Sequence, residues 1–166
     1  MKQFKTLLLI AVIAIGFNSV NAQSKIGHIS TDQLISLMPE TQALNVELEK
    51  KSKTYEDELK AEDDKLKAKL KRYDAEAASQ TNEVNQQRGA EVQKQQQNLM
   101  QATDVARKDL TTLRDEGLKP ILEKAKKAIE EVASEGGYTY VLEASTLIVA
   151  KGTDLLPAVK AKLGIQ

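Results

Sequence analysis

Apolar residues recur at helical spacing over most of the chain, from position 39 to position 135. In the first half of this stretch they return every eleven residues, close to three helical turns, and in the second half every seven. Each half therefore predicts one long helix with a single apolar stripe. The stripe residues are Leu44, Leu48, Tyr55, Leu59, Leu66, Leu70 and Ala77 in the first half, and Val92, Leu99, Ala106 and Leu113 in the second.

Folding the chain back at about position 80 brings the two stripes together. One fold point aligns four pairs, which favours an antiparallel helical hairpin, or arm, over one continuous rod. A first helix of roughly 39 residues would reach about 58 Å at 1.5 Å per residue. We place the arm at 39–135 and its tip between Ser79 and Glu83. The aligned pairs are Leu48 with Leu113, Tyr55 with Ala106, Leu59 with Ala102, and Leu70 with Val92.

The residues before the arm predict a short strand and a short helix. The strand is expected over residues 25–30, with Ile26 and Ile29 as its large apolar residues. Thr31 or Asp32 can cap the helix, which runs through Leu34, Ile35 and Met38. Pro39 disfavours helical geometry before it and suits the first position of the next helix.

Proline and glycine mark the end of the arm. Gly117 and Pro120 predict an interruption or kink in the second helix, and Gly136-Gly137 should end it. Between them the apolar face widens, which indicates that the root of the arm packs against more than the other helix. The widened face contains Leu118, Ile121, Leu122, Ala125, Ala128, Ile129 and Val132.

Two strands and a helix are expected after the arm. Alternating residues predict a strand over 138–144, a second strand is expected over 147–150, and Asp154 can cap a final helix. The predicted fold class is α+β, mainly α: a long antiparallel coiled-coil hairpin on a small β-sheet base. Residues 23–38 and 136–166 would form this β-rich body. A sheet of about three strands has exposed edges and little core of its own, so oligomerisation is expected to bury it.

Met1 to Ala22 have the pattern of a secretory signal. Lys2 and Lys5 precede nine consecutive apolar residues, and Val20-Asn21-Ala22 forms a cleavage site. The alternative, a membrane anchor, would need about 20 apolar residues. Cleavage after Ala22 would leave 144 residues, with 22 basic and 24 acidic side chains and a net charge of −2. We therefore expect an exported, periplasmic protein without stable membrane insertion.

The composition offers little to catalysis. The chain has one histidine, no cysteine, and equal numbers of acidic and basic residues. This excludes disulfides and thiolate chemistry and gives no signal for nucleic acid binding. His28 stands alone in the first strand, where a structural role is the ordinary one. We expect no enzyme, no cofactor and no metal site.

Two features of the arm are candidate contacts for a partner. Val46, Met100 and Val105 point away from the apolar stripe by helical phase and are possible client contacts. A basic cluster over residues 65–72 could meet an anionic partner. It is more simply a solvated face, because acidic residues precede it and its members point in different directions.

The order and spacing of these segments resemble the Skp (OmpH-like) family of periplasmic chaperones over essentially the whole mature chain. The residues that carry the resemblance are Lys25 to Ser30, Tyr138 to Ala144, and Asp154-Leu155 opening the last helix. The resemblance implies a homotrimer with a β-rich body and three helical tentacles around a cavity. That cavity would hold unfolded outer-membrane proteins without ATP.

On this resemblance and the exposed edges, the trimer is expected to form through the strands. The predicted interface residues are Ile26, Ile29, Tyr140, Leu142, Leu147 and Val149. The rival interpretation is a structural coiled-coil spacer or adaptor in the cell envelope. A spacer needs a stiff seam up to its tip, whereas Ala90 and Val92 are the only aliphatic residues between Val84 and Leu99.

Overall fold

A computed structural model describes residues 24–165 of the chain. The proposed signal segment therefore lies outside the described residues. The described chain contains four α-helices, three strands and two short 3₁₀ turns. In chain order these are β1 (Ile26–Ile29), α1 (Thr31–Leu37), α2 (Pro39–Glu76), a 3₁₀ turn (Ala77–Ser79), α3 (Asn82–Glu135), β2 (Tyr140–Glu143), a 3₁₀ turn (Ala144–Thr146), β3 (Thr153–Asp154) and α4 (Leu156–Leu163).

Helices α2 and α3 lie against each other along the arm. Glu40 near the root pairs with Lys124, and Glu76 near the tip pairs with Arg88. The partners thus run in opposite order along the two helices. The helices meet at a tight turn, where the Thr81 hydroxyl accepts a hydrogen bond from the Val84 N–H. At 1.5 Å per residue, the 38 residues of α2 extend about 57 Å.

Helix α3 continues through Pro120, so the proline does not end it, and the kink expected near 116–120 stays a prediction. A proline costs an interior helix one backbone hydrogen bond and crowds the preceding turn. Here the residues that follow it, Ile121 and Ala125, are buried in the core and hold the helix in place. Gly117 allows close packing of the two helices, since Leu44 from α2 occupies the space where a β-carbon would stand.

The three strands form one parallel sheet with β1 in the centre, in the order β2-β1-β3. The expected strand over 147–150 is wrong, because this segment pairs with no strand in the described chain. Thr153 and Asp154 take that edge of β1 instead, and the Leu155 N–H extends the ladder by donating to the His28 carbonyl. In this register Leu155 lies in the hydrophobic core, where it is almost completely buried.

The start of α1 also differs from the expectation. Ser30, not Thr31 or Asp32, is the cap, and its hydroxyl accepts from the Gln33 N–H. Thr31 is engaged elsewhere, because its N–H and hydroxyl both donate to the Glu143 carboxylate at the end of β2. Burial would raise the pKa of Glu143, but the bonds from Thr31 and Ser145 bring it below its ordinary value. The carboxylate therefore ties α1 to the sheet.

One hydrophobic core joins the sheet, the short helices and the root of the arm. Its most buried side chains are Ile29, Leu34, Met38 and Val159, none more than 2% exposed. The sequence suggested that the body has little core of its own. In the structure, the root of the arm supplies additional apolar side chains to that core. The widened face of α3 contributes Ile121, Ala125, Ala128 and Val132, and α2 contributes Leu44.

The sheet face and the arm as candidate interaction surfaces

The outer face of the sheet is apolar and exposed. Register partners in a parallel sheet share a face, so Ile26 lies beside Tyr140 and His28 beside Leu142. The exposed fractions are 49% for Ile26, 59% for Tyr140 and 40% for Leu142. Large apolar side chains grouped at this exposure mark an interaction surface more often than scattered single ones.

The loop from Leu147 to Ala150 extends this apolar surface. Val149 is two-thirds exposed, Ile148 is completely exposed, and Leu147 is half-buried. Sequence reasoning named Leu147 and Val149 but omitted Ile148, because it assumed a strand with alternating sides. A loop has no such alternation, so three consecutive large apolar residues were the better signal.

Ile29 occupies a different place from the other predicted interface residues. It lies on the inner face of β1 and is 2% exposed within its own chain. Gly27 shares that face and is packed against Leu155 and Tyr138. Side chains alternate between the two faces of a strand, so Ile26 and Ile29, three residues apart, lie on opposite faces. The inner position of Ile29 could therefore have been read from the sequence.

Halfway along the arm, three side chains form a cluster across the two helices. Lys51 Nζ lies 2.7 Å from Asp109 Oδ2, and the Tyr55 hydroxyl donates a hydrogen bond to the same oxygen. The bonds from Lys51 and Tyr55 lower the pKa of Asp109, and the bond to Asp109 raises the pKa of Tyr55. We call Lys51, Tyr55 and Asp109 the middle cluster.

A second cluster of the same kind lies nearer the tip. Glu91 accepts from Lys69 Nζ at 2.6 Å and from the Tyr73 hydroxyl at 2.7 Å, and the two bonds lower the pKa of Glu91. Arg88 lies over the Tyr73 ring, 4.5 Å from its centre, and pairs with Glu76. We call Lys69, Tyr73, Glu76, Arg88 and Glu91 the distal cluster.

Sequence reasoning assigned Tyr55 and Tyr73 to core packing and missed these clusters. Both rings do lie between the helices, but each hydroxyl reaches a carboxylate of α3. The signal was available, because folding the chain near position 80 places Asp109 and Glu91 close to the two tyrosines. A tyrosine in a narrow seam needs a partner for its hydroxyl.

The three possible client contacts on the arm are exposed, as their helical phase predicted. Val46, Met100 and Val105 are each about two-thirds exposed. Met100 borders a cleft on one side of the arm, beside Leu66 and Leu99. The three residues do not form one patch, because Val46 lies near the root and the other two lie nearer the middle.

Most charges of the basic cluster are paired with acids. Lys65 pairs with Glu62 and Lys67 with Asp63, both within α2. Lys69 belongs to the distal cluster. This supports the interpretation of residues 65–72 as a solvated face.

Neither a metal site nor a membrane span emerges from the described chain. Among residues 24–165, no three His, Asp or Glu side chains come together in a group that could hold a metal ion. None of the helices over the same residues combines the length and the apolar character that crossing a bilayer requires.

Comparison with known proteins agrees with this architecture. A comparison with curated proteins gives no match. Among solved structures, the chain is similar to an OmpH-like protein from Caulobacter crescentus CB15 that is proposed to be an outer membrane chaperone. The TM-score is 0.75 at 17% identity, over 84% of this chain and 83% of that one. The sequence model of the family described as outer membrane protein (OmpH-like) matches residues 25–163. The resemblance inferred from the sequence is thereby confirmed, and the chain belongs to the OmpH-like family.

Proposed function

We propose that this chain is an ATP-independent holdase chaperone of the periplasm that binds unfolded outer-membrane proteins. Three copies would assemble through their β-rich bodies, residues 23–38 and 136–166 with the root of the arm. Their three antiparallel helical hairpins would then surround a cavity for the client. The signal peptide would direct export and be cleaved after Ala22. Family membership and the likeness to the Caulobacter protein support this proposal.

The observation that carries the proposal is the contrast between an apolar body face and a polar arm. The arm extends about 57 Å, and its clefts are shallow grooves between the helices. Such a surface suits many weak contacts with an extended chain better than specific recognition of one folded partner. Val46, Met100 and Val105 would add apolar contacts at separate points along it.

The body face supplies a surface for assembly. Ile26, Tyr140 and Leu142 on the sheet, with Leu147 and Val149 on the adjoining loop, would pack against neighbouring copies. Ile29 would support β1 from within its own chain. Both edges of the sheet are short, and burying them between copies would satisfy their free backbone groups.

A structural spacer or adaptor in the cell envelope is the second candidate. It would use the same oligomeric body but would hold a folded partner, and it would need a stiff arm. The grooves on both sides of Leu66 and Leu99 argue against a continuous stiff seam. A spacer would not keep an unfolded protein soluble.

The decisive experiment mixes the purified mature chain with a urea-denatured outer-membrane β-barrel and dilutes the urea without ATP. We expect the barrel to stay soluble at about one trimer per client, and light scattering to give the mass of three protomers. Aggregation of the barrel at every ratio would contradict the holdase function. A monomer that still protects the barrel would contradict the trimer alone.

Leu142→Asp is the matched test of assembly. It would bury an unpaired carboxylate in the proposed interface, which costs about 2 kcal/mol or more in an apolar setting. We expect monomers that retain helical circular dichroism. Thr139→Asp, at an exposed position just before β2, serves as the control and should remain trimeric.

A further inference from the structure

The polar contacts between α2 and α3 are unevenly distributed along the arm. The middle cluster joins the helices at Tyr55 and Asp109, and the distal cluster joins them again at Lys69 and Glu91. Beyond the distal cluster, the Asn85 side chain donates to the Ala77 carbonyl and closes the tip. The distal third of the arm is therefore well connected.

No polar contact of this kind crosses between the two clusters in the described structure. This stretch covers residues 56–68 of α2 and 92–108 of α3. Its ion pairs lie within α2, where Lys60 pairs with Asp64, while Lys65 and Lys67 pair with acids one turn before them. Ion pairs within one exposed helix strengthen that helix slightly but do not hold the other one.

Open grooves flank the apolar seam at the same level. Leu66 is buried against α3, but clefts of about 390 and 440 Å³ lie on either side of it and Leu99. Ala102 borders the first cleft and Thr103 the second. A side chain that borders an open groove lacks packing contacts on that side. Bending toward either side is therefore not blocked by packed side chains.

Thr103 weakens α3 at the same level. Its hydroxyl donates to the Leu99 carbonyl 2.9 Å away, one turn earlier. Such a bond competes with the backbone ladder and favours bending of the helix. Thr54 and Thr111 make the same bond elsewhere, but of the three only Thr103 borders one of these two clefts.

We propose that the arm opens from its middle, between the two clusters, while the distal cluster and the tip stay paired. The segment around Leu66 and Leu99 is then a hinge, and the last third of the arm moves as one unit. This differs from fraying that starts at the tip. The inference concerns the arm itself and does not depend on the chaperone function.

Hydrogen exchange of the intact mature chain tests the proposal directly. We expect backbone amides over 60–67 and 96–104 to exchange roughly tenfold faster than those over 71–76 and 86–91, because local opening controls exchange. Protection that falls steadily from the root to the tip would overturn the hinge.

Substitutions that fill the two clefts test the hinge further, with a matched control on the exposed side of α3. Ala102→Leu with Thr103→Leu should slow exchange in the hinge roughly tenfold, and each single substitution should give part of the effect. Gln101→Leu adds the same kind of side chain on the exposed side, bordering neither cleft, and should leave the hinge unchanged. Circular dichroism checks that every variant keeps its helices. Equal exchange in the filled variants and in Gln101→Leu would also overturn the proposal.

Discussion

The body and the arm are held together by different forces. In the body, Leu34, Met38 and Val159 are completely buried where the sheet, the two short helices and the root of the arm meet. In the part of the arm beyond Leu48, all of which the structure describes, Leu66 and Ala106 are the only buried apolar side chains. Cross-helix tyrosines and ion pairs supply much of the remaining contact there.

Because of this difference, the body and the arm should differ in how easily they unfold. Burial of a large apolar side chain contributes about 1.5–3 kcal/mol, whereas an exposed ion pair contributes about 0–1 kcal/mol. The body should therefore unfold only as a unit, while the arm can open locally at small cost. A rigid base with compliant arms is compatible with holding clients of different sizes.

The largest expected effect comes from removing a core side chain of the body. Leu34→Ala should lower the free energy of unfolding by about 3 kcal/mol, because a fully buried site leaves a cavity. Leu59→Ala in the half-exposed arm should cost about 1 kcal/mol. Denaturation followed by circular dichroism at fixed protein concentration measures both. Equal losses at the two sites would remove the distinction between body and arm.

A pair of glycines in α3 sharpens the same comparison. In Gly117→Ala, the new β-carbon would stand 2.5 Å from Leu44 Cδ1 at the root of the arm. Overpacking there should outweigh the gain in helix propensity and destabilise the protein by about 1 kcal/mol. At Gly89, nothing lies within 4 Å of the new atom.

The control, Gly89→Ala, should accordingly stabilise the protein by about 0.5–1 kcal/mol, the ordinary gain in a helix interior. Thermal denaturation should move in opposite directions for the two variants. If both raise the melting temperature, Leu44 can move aside and the root is less tightly packed than the geometry indicates.

The clusters of the arm predict a loss of stability at acid pH. Lys51 and Tyr55 hold the pKa of Asp109 below its ordinary value, which is about 3.9. A lowered pKa in the folded state stabilises the protein above the ordinary value, and this contribution disappears as the pH falls through the folded value. Helix content followed by circular dichroism should decrease below about pH 4.

Asp109→Asn should remove part of this pH dependence, since the amide cannot titrate. Asp104→Asn is the control, because Asp104 is exposed on the same helix and has no ion pair within residues 24–165. An acid transition that is identical in Asp109→Asn and in the parent chain would show that the middle cluster does not contribute to it.

The long helices could be predicted from the sequence because periodicity is a local property of the chain. The helix bounds around Pro39, Glu76, Asn82 and Glu135 lie within about two residues of the expected ones. Strand pairing is not local: residues 147–150 have strand-like composition, yet β1 pairs with Thr153 and Asp154 instead.

The candidate surfaces were predictable in part. Helical phase correctly placed Val46, Met100 and Val105 on the outside. Helical phase alone does not show that the tyrosine hydroxyls reach across the arm, because that also depends on the relative height of the two helices, which the fold point near position 80 sets. The clefts beside Leu66 depend on the volumes of Ala102 and Thr103 opposite, which the repeat pattern does not record.

The smallest expected effect concerns salt and the charged faces of the arm. Salt screens the attraction between exposed charges over distances of about 10 Å, so it weakens only binding that depends on charge. Client binding should change by less than about threefold between 50 and 500 mM salt, because charge attraction is expected to contribute little. The chain has equal numbers of acidic and basic residues, and lysines 60, 65, 67 and 69 already pair with acids of the same protein. The remaining charges of the two signs nearly balance, so no excess of one sign is left to attract a client. Fluorescence titration of a labelled unfolded barrel at the two salt concentrations measures this. A loss of binding at high salt would make residues 65–72 a client surface, and Lys71→Gln with Arg72→Gln would be the first variant to examine.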